Sequence, residues 1–243
     1  VTTWVEKPVV MQTNHHAATP VHQHRSSRAL SSILHSQRIG SAGNLLSIIE
    51  GTMNQIDVND SLNAVTFIHR NDPTNFPGTN VAQYRFDVSK DRGNNWTSDI
   101  GPITNDGTID NVSVNGRFPQ AVIYKKPGTT VADSALLVYS GTWHDGNTWC
   151  GQMRGRGKLS GDTSTFNVHI DAVNNKAVAI AAGMCKGAPG VFWNLNLNYS
   201  GTFTSGSNAI TSGLIIQKGV WNASTKDIDW TNTSISQTFE TYN

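Results

Sequence analysis

Ser89-Lys90-Asp91-Arg92-Gly93-Asn94-Asn95-Trp96 follows the strand-like run Gln83-Tyr84-Arg85-Phe86-Asp87-Val88, and its reading decides the fold of this 243-residue chain. It reads as a turn that holds itself together and closes a hairpin. A short carboxylate such as Asp91 accepts hydrogen bonds from backbone N–H groups of its own loop. Gly93 supplies a backbone conformation that a residue with a Cβ resists. Trp96 opens the return strand and can lay its ring back over the turn. Ser89, Asp91, Gly93 and Trp96 are therefore read as architectural.

Outward from this turn the pattern is one of short strands and turns. Gln55 to Val58 and Ala64 to His69 precede it, and Leu45 to Ile49 is apolar enough for a further buried strand. A second cycle runs through Arg117 to Tyr124, Ser134 to Tyr139, Trp149 to Leu159 and Thr165 to Ile170. A third comprises Ala177 to Ala182, Val191 to Tyr199, Leu214 to Trp221 and Asp227 to Trp230. Cycles of about 50 to 60 residues with four strands each have the rhythm of propeller blades. The expected fold is all-β: a partial β-propeller of about three to four four-stranded antiparallel blades over residues 45–243. Such an array exposes sheet edges and a blade flank, which a partner should cover.

Residues 1–44 differ. Pro8, Pro20, the histidines His15, His16, His22 and His24, and a Ser-rich stretch suggest an extended lead-in. Imidazoles at short spacing can hold a metal, but the plainer reading is a polar tail, and neither a metal nor a cofactor is expected. A short helix is possible between Arg28 and Ile39, with Leu30, Ile33 and Leu34 at helical spacing.

Composition narrows the function classes. A formal net charge of +1, with 14% charged residues, gives nucleic acid no electrostatic footprint. Loops rich in Asn, Ser, Thr and Gly have an extracellular texture. The two cysteines, Cys150 and Cys185, suffice for one disulfide in an exported protein. Two separate buried thiols are the alternative.

Ser-x-Asp-x-Gly-x-x-Trp at 89–96 resembles the Asp-box (BNR repeat) of sialidase-like β-propellers. Together with Ala64 to Pro73, Gly116 to Gly128 and Ala135 to Gly141, it is similar to large secreted propeller proteins of Bacteroidetes, usually cargo of type IX secretion. The resemblance implies a secreted or cell-surface protein serving in binding or structural assembly. Its implied partner is another protein chain, an outer-membrane assembly or a glycan. Asp60-Ser61-Leu62 and Asp133-Ser134-Ala135 look like sites such bacteria O-glycosylate, at Ser61 and Ser134.

The alternative function is a glycoside hydrolase of sialidase type. That chemistry needs arginines gripping a carboxylate, a Tyr activated by Glu and an Asp handling the proton. Arg117-Phe118-Pro119 resembles the sialidase Arg-Ile-Pro motif, although it follows the Asp-box instead of preceding it. The simpler reading of Arg117 is the start of a blade strand. Other ligand-binding candidates are His69, Arg70 and Asp72 together, and His144 with Asp145. His69-Arg70 also reads as a strand exit, and Asp145-Gly146-Asn147 as a turn. Trp143, Trp149, Trp193 and Trp221 can stack on sugar rings or pack between blades.

Overall fold

The computed structural model describes residues 36–43, 53–104, 108–109, 112–113, 115–144, 149–170, 178–200 and 210–236. The chain divides into two compact units, residues 1–37 and 38–243. All that follows concerns the second. Residues 38–43 belong with it, and the Ser41 backbone N–H donates to Asp99 Oδ1 at 3.0 Å. Among the described residues there are fourteen strands and no α-helix, so no helix there could cross a membrane. Residues 36–39, the end of the expected helix, are not helical, and the expected strand at Leu45 to Ile49 lies outside the described residues.

Three four-stranded antiparallel sheets carry the architecture. The first is β1 (Ile56–Asn59), β2 (Ala64–Arg70), β3 (Tyr84–Ser89) and β4 (Thr97–Ile100). A two-stranded ribbon follows, of β5 (Thr108–Ile109) and β6 (Val112–Ser113). The second sheet is β7 (Asn115–Tyr124), β8 (Leu136–His144), β9 (Trp149–Lys158) and β10 (Asn167–Ile170). The third is β11 (Val178–Lys186), β12 (Val191–Ser200), β13 (Ile210–Asn222) and β14 (Asp227–Ser236). In each sheet the strand order is the chain order, so each is a simple meander.

Alternation along the strands tells how the sheets stack. Ile68, Tyr84, Phe86 and Val88 of the first sheet share one core with Ala121, Ile123, Leu137 and Tyr139 of the second. The intervening residues Val122, Tyr124, Leu136 and Val138 share another core with Met184, Phe192 and Ile228 of the third. The middle sheet is thus buried on both faces. That is why Ala121 to Tyr124 and Leu136 to Tyr139 read as continuous apolar runs instead of alternating ones.

Polar contacts also bind the second sheet to the third. Asn194, fully buried on β12, accepts at Oδ1 from Gln120 Nε2 at 2.7 Å and from Ser140 Oγ at 3.0 Å. Its amide donates to Gln217 Oε1 at 2.7 Å, and Gln217 donates in turn to Asn232 at 3.0 Å. At another point Asp227 accepts from Arg156 Nε of β9 at 3.2 Å and from Asn167 Nδ2 of β10 at 2.9 Å, with His169 Nε2 at 3.1 Å.

This latch carries a pH prediction. Partial burial disfavours the Asp227 carboxylate, but bonds to His169 and the Ile228 amide, with the Arg156 charge, outweigh it and hold its pKa below the usual value. A depressed carboxylate pKa stabilises the fold above the unfolded pKa of about 3.9 and ceases to do so as pH falls through the folded value. Stability should therefore drop below about pH 4, and Asp227→Asn should flatten that part of the acid-denaturation curve. An unchanged curve in the variant would assign the acid loss to other groups.

The outer face of the third sheet is different in kind. Trp193 and Leu195 of β12 and Val220 of β13 are exposed. Their pairing places Val191 beside Val220, Trp193 beside Lys218 and Leu195 beside Ile216. The same sheet buries Asn194, Asn196 and Gln217 on its inner side. The outer face of the first sheet also exposes apolar residues, Ile56 and Val58.

Candidate functional site

The turn at Ser89–Trp96 connects β3 to β4 and is built from its own side chains. Asp91 Oδ1 accepts from the Asn95 backbone N–H at 2.8 Å and from Ser89 Oγ at 2.8 Å, and Oδ2 accepts from Asn95 Nδ2 at 2.6 Å. These bonds, the Asn95 amide foremost, hold the Asp91 carboxyl below its ordinary pKa. Gly93 has φ of +91° and donates its N–H to Ser89 Oγ at 2.7 Å. Trp96 Nε1 returns to the Gly93 carbonyl at 3.0 Å. Ser89, Asp91, Gly93 and Trp96 bond within the hairpin, while Arg92 Nε donates to Asn63 Oδ1 at 2.8 Å and Lys90 pairs with Asp133.

Two clusters of candidate residues flank the first sheet. Arg70 ends β2 and Arg117 lies near the start of β7, on facing sheets. Burial, followed by the Arg117 guanidinium, lowers the Arg70 pKa to about 10, so Arg70 remains charged at neutral pH; burial lowers the Arg117 pKa as well. Tyr84 Oη, fully buried beside them, donates to the Arg117 carbonyl at 2.8 Å. Burial pushes its pKa up. A tyrosine held in this way is a poor nucleophile, since ionisation is disfavoured and its proton is engaged. His144 ends β8 and pairs with Asn115 at the same end of the sheets, while Asp145 lies outside the described residues.

His69 precedes Arg70 on β2 and therefore points to the opposite face. There it meets Asp87 of β3 and Asp99 of β4. His69 Nε2 is 3.4 Å from Asp87 Oδ2 and 3.6 Å from Asp99 Oδ1. Nδ1 lies 2.9 Å from the Arg70 carbonyl, an acceptor, and so carries a proton. Phe67 stacks on the ring at 5.6 Å. Burial opposes a charge on His69, but Asp87, the Arg70 carbonyl and Asp99 outweigh it and raise its pKa. Sequence reading singled out His69 but neither acid. Asp87 had a signal: it is the acid inside an apolar strand, two residues from Arg85 and on the same face.

The remaining candidates are dispersed. Ser61 and Ser134 are exposed, and Ser61 Oγ donates to Asn59 Oδ1 at 2.9 Å. Cys185 is an exposed free thiol on β11, and the side chain of Cys150, its expected partner, lies outside those described. Trp143 is completely buried and packs in the core between the first two sheets, which removes it as a sugar platform. Trp221 instead lines an open cleft of about 710 Å³ with Tyr124, Lys126, Thr129 and Ser134.

No protein-family model matches the chain, and no curated protein or solved structure matches it.

Proposed function

We propose that the three sheets are consecutive blades of a β-propeller, and that the chain is an exported, cell-surface module for binding and assembly. Its partner on this reading is another protein chain that lays a sheet on the outer face of the third sheet. The observation that carries the proposal is that face. Each inner pair of sheets is joined through apolar rows, and Trp193, Leu195 and Val220 continue the same kind of row into solvent. Exposed apolar surface of this form marks an interaction site. The glycosidase alternative receives less support, because Tyr84 is buried and bonded to a backbone carbonyl.

The test uses the purified chain at graded concentration, followed by native mass measurement and light scattering. With no other partner present, a second copy should occupy the face and give concentration-dependent association. Trp193→Ser with Leu195→Ser should leave a 26.3 kDa monomer. A wild-type chain that stays monomeric at high concentration would overturn the proposal.

A second reading concerns the cleft at Tyr124 and Trp221. An aromatic wall beside hydroxyl and ammonium groups suits a glycan, which presents apolar ring faces and hydroxyls. Oligosaccharide titration should then quench tryptophan fluorescence, and Trp221→Ala should abolish that response.

A further inference from the structure

We infer that His69, Asp87 and Asp99 form a binding site for one divalent transition-metal ion of the zinc type. One ligand atom from each lies within 4.8 Å of the others. The edge of a tetrahedron with metal–ligand bonds of about 2.0–2.2 Å is about 3.3–3.6 Å. The two separations from His69 Nε2, 3.4 and 3.6 Å, fall in that range. Both exceed the usual reach of a direct hydrogen bond.

Partner accounting points the same way. His69 Nε2 and Asp87 Oδ2 belong to side chains about 99% and fully buried, and neither atom has a hydrogen-bond partner. The other atoms of His69 and Asp87 are occupied: Nδ1 faces the Arg70 carbonyl, and Asp87 Oδ1 accepts the Asp99 N–H at 2.6 Å. Asp99 Oδ1, the third ligand atom, is held in place by the Ser41 N–H at 3.0 Å. Such outer bonds are what orient metal ligands: a ligating imidazole nearly always gives its second N–H to a carbonyl or carboxylate. With Nδ1 protonated, an ion that displaces the Nε2 proton meets the Nε2 lone pair and two carboxylates together. A dication at the centre is coordinated by all three and balances both negative charges. Arg85 bonds the backbone beside the site, its Nη1 donating to the Asp99 and Gly101 carbonyls.

The site has a back wall and a way in. Gly40 lies against Asp87 so closely that an added Cβ would sit 2.5 Å from Oδ2. Asp99, with its side chain 20% exposed, forms the solvent side. A water would complete four-fold coordination. By tying β2, β3 and β4 together, and residues 40–41 through Asp99, the ion would act as a clamp on the first sheet.

The experiment is metal analysis of the full chain, stripped with chelator and reloaded with Zn²⁺ or Co²⁺. The expected results are one equivalent per chain, visible Co²⁺ absorption of tetrahedral intensity, and a higher melting temperature when loaded. His69→Gln and Asp99→Asn should each weaken binding at least about 10-fold. Asp99 is the less buried position, so its variant keeps the test open if His69→Gln does not fold. Replacing His15, His16, His22 and His24 together by Ala should leave binding intact. No uptake of either ion at millimolar concentration would overturn the inference and make His69 an imidazolium held between carboxylates. Binding lost with the N-terminal histidines instead would also overturn it.

Discussion

Gly141→Ala is expected to destabilise the fold by about 3 kcal/mol, at the upper end of ordinary overpacking costs. For a unit of this size that corresponds to a fall in Tm of roughly 6–12 °C. Gly141 lies on β8, and a Cβ there would stand 2.1 Å from Tyr84 Oη and 2.8 Å from the Arg117 carbonyl. Neither neighbour can give way easily. Tyr84 is completely buried, its hydroxyl is tied to that same carbonyl, and its ring meets Tyr139 edge-on at 6.3 Å. The collision is mainly with one oxygen, so Tyr84→Phe in the Gly141→Ala background should restore part of the loss. Denaturant unfolding of both single variants and the double would reveal this as a favourable coupling. Simple additivity of the two losses would show that the contact is not the cause.

The second large effect lies at the other sheet interface. Asn194→Ala should cost about 3–5 kcal/mol, because Gln120, Ser140 and Gln217 all lose a buried partner at once. Asn194→Leu keeps most of the volume but none of the hydrogen bonds, and should be no better than Ala. Wild-type stability in the Leu variant would mean that volume, not polar satisfaction, holds the second and third sheets together. The two sheet interfaces therefore differ in character. The first is sensitive to shape, and the second to hydrogen-bond partners.

Strand placement was legible in the sequence wherever one chemical pattern dominated. Alternation in Ala64 to Arg70 and Val191 to Tyr199, and unbroken apolar runs at Ala121 to Tyr124 and Leu136 to Tyr139, each signal a different burial, and the strands lie there. The turn at Ser89–Trp96 was legible because Ser89, Asp91, Gly93 and Trp96 bond locally. The polar ladder through Asn194 and Gln217 was not, since asparagine and glutamine ordinarily mark loops and surfaces. Their burial follows from the neighbouring sheet, which local pattern does not specify. The same holds for the candidate metal site. His69 and Asp87 are eighteen positions apart and meet because β2 pairs with β3 in a register that sets Phe67 beside Asp87 and His69 beside Arg85. Asp99 joins them from β4, across a β-bulge in its pairing with β3. Sequence can nominate such residues singly, but the pairing register decides which of them meet.

The meander order of the three sheets has a genetic consequence. Each sheet is one continuous stretch of chain, and among the described residues its strand ladder contains no strand from elsewhere. A segment of that kind can be copied or deleted in a single in-frame event without re-routing any other strand. Only the side chains on the two abutting faces must then adapt. Lineages of this protein should accordingly change length in whole-sheet steps, with substitutions concentrated at positions equivalent to Gly141 and Asn194.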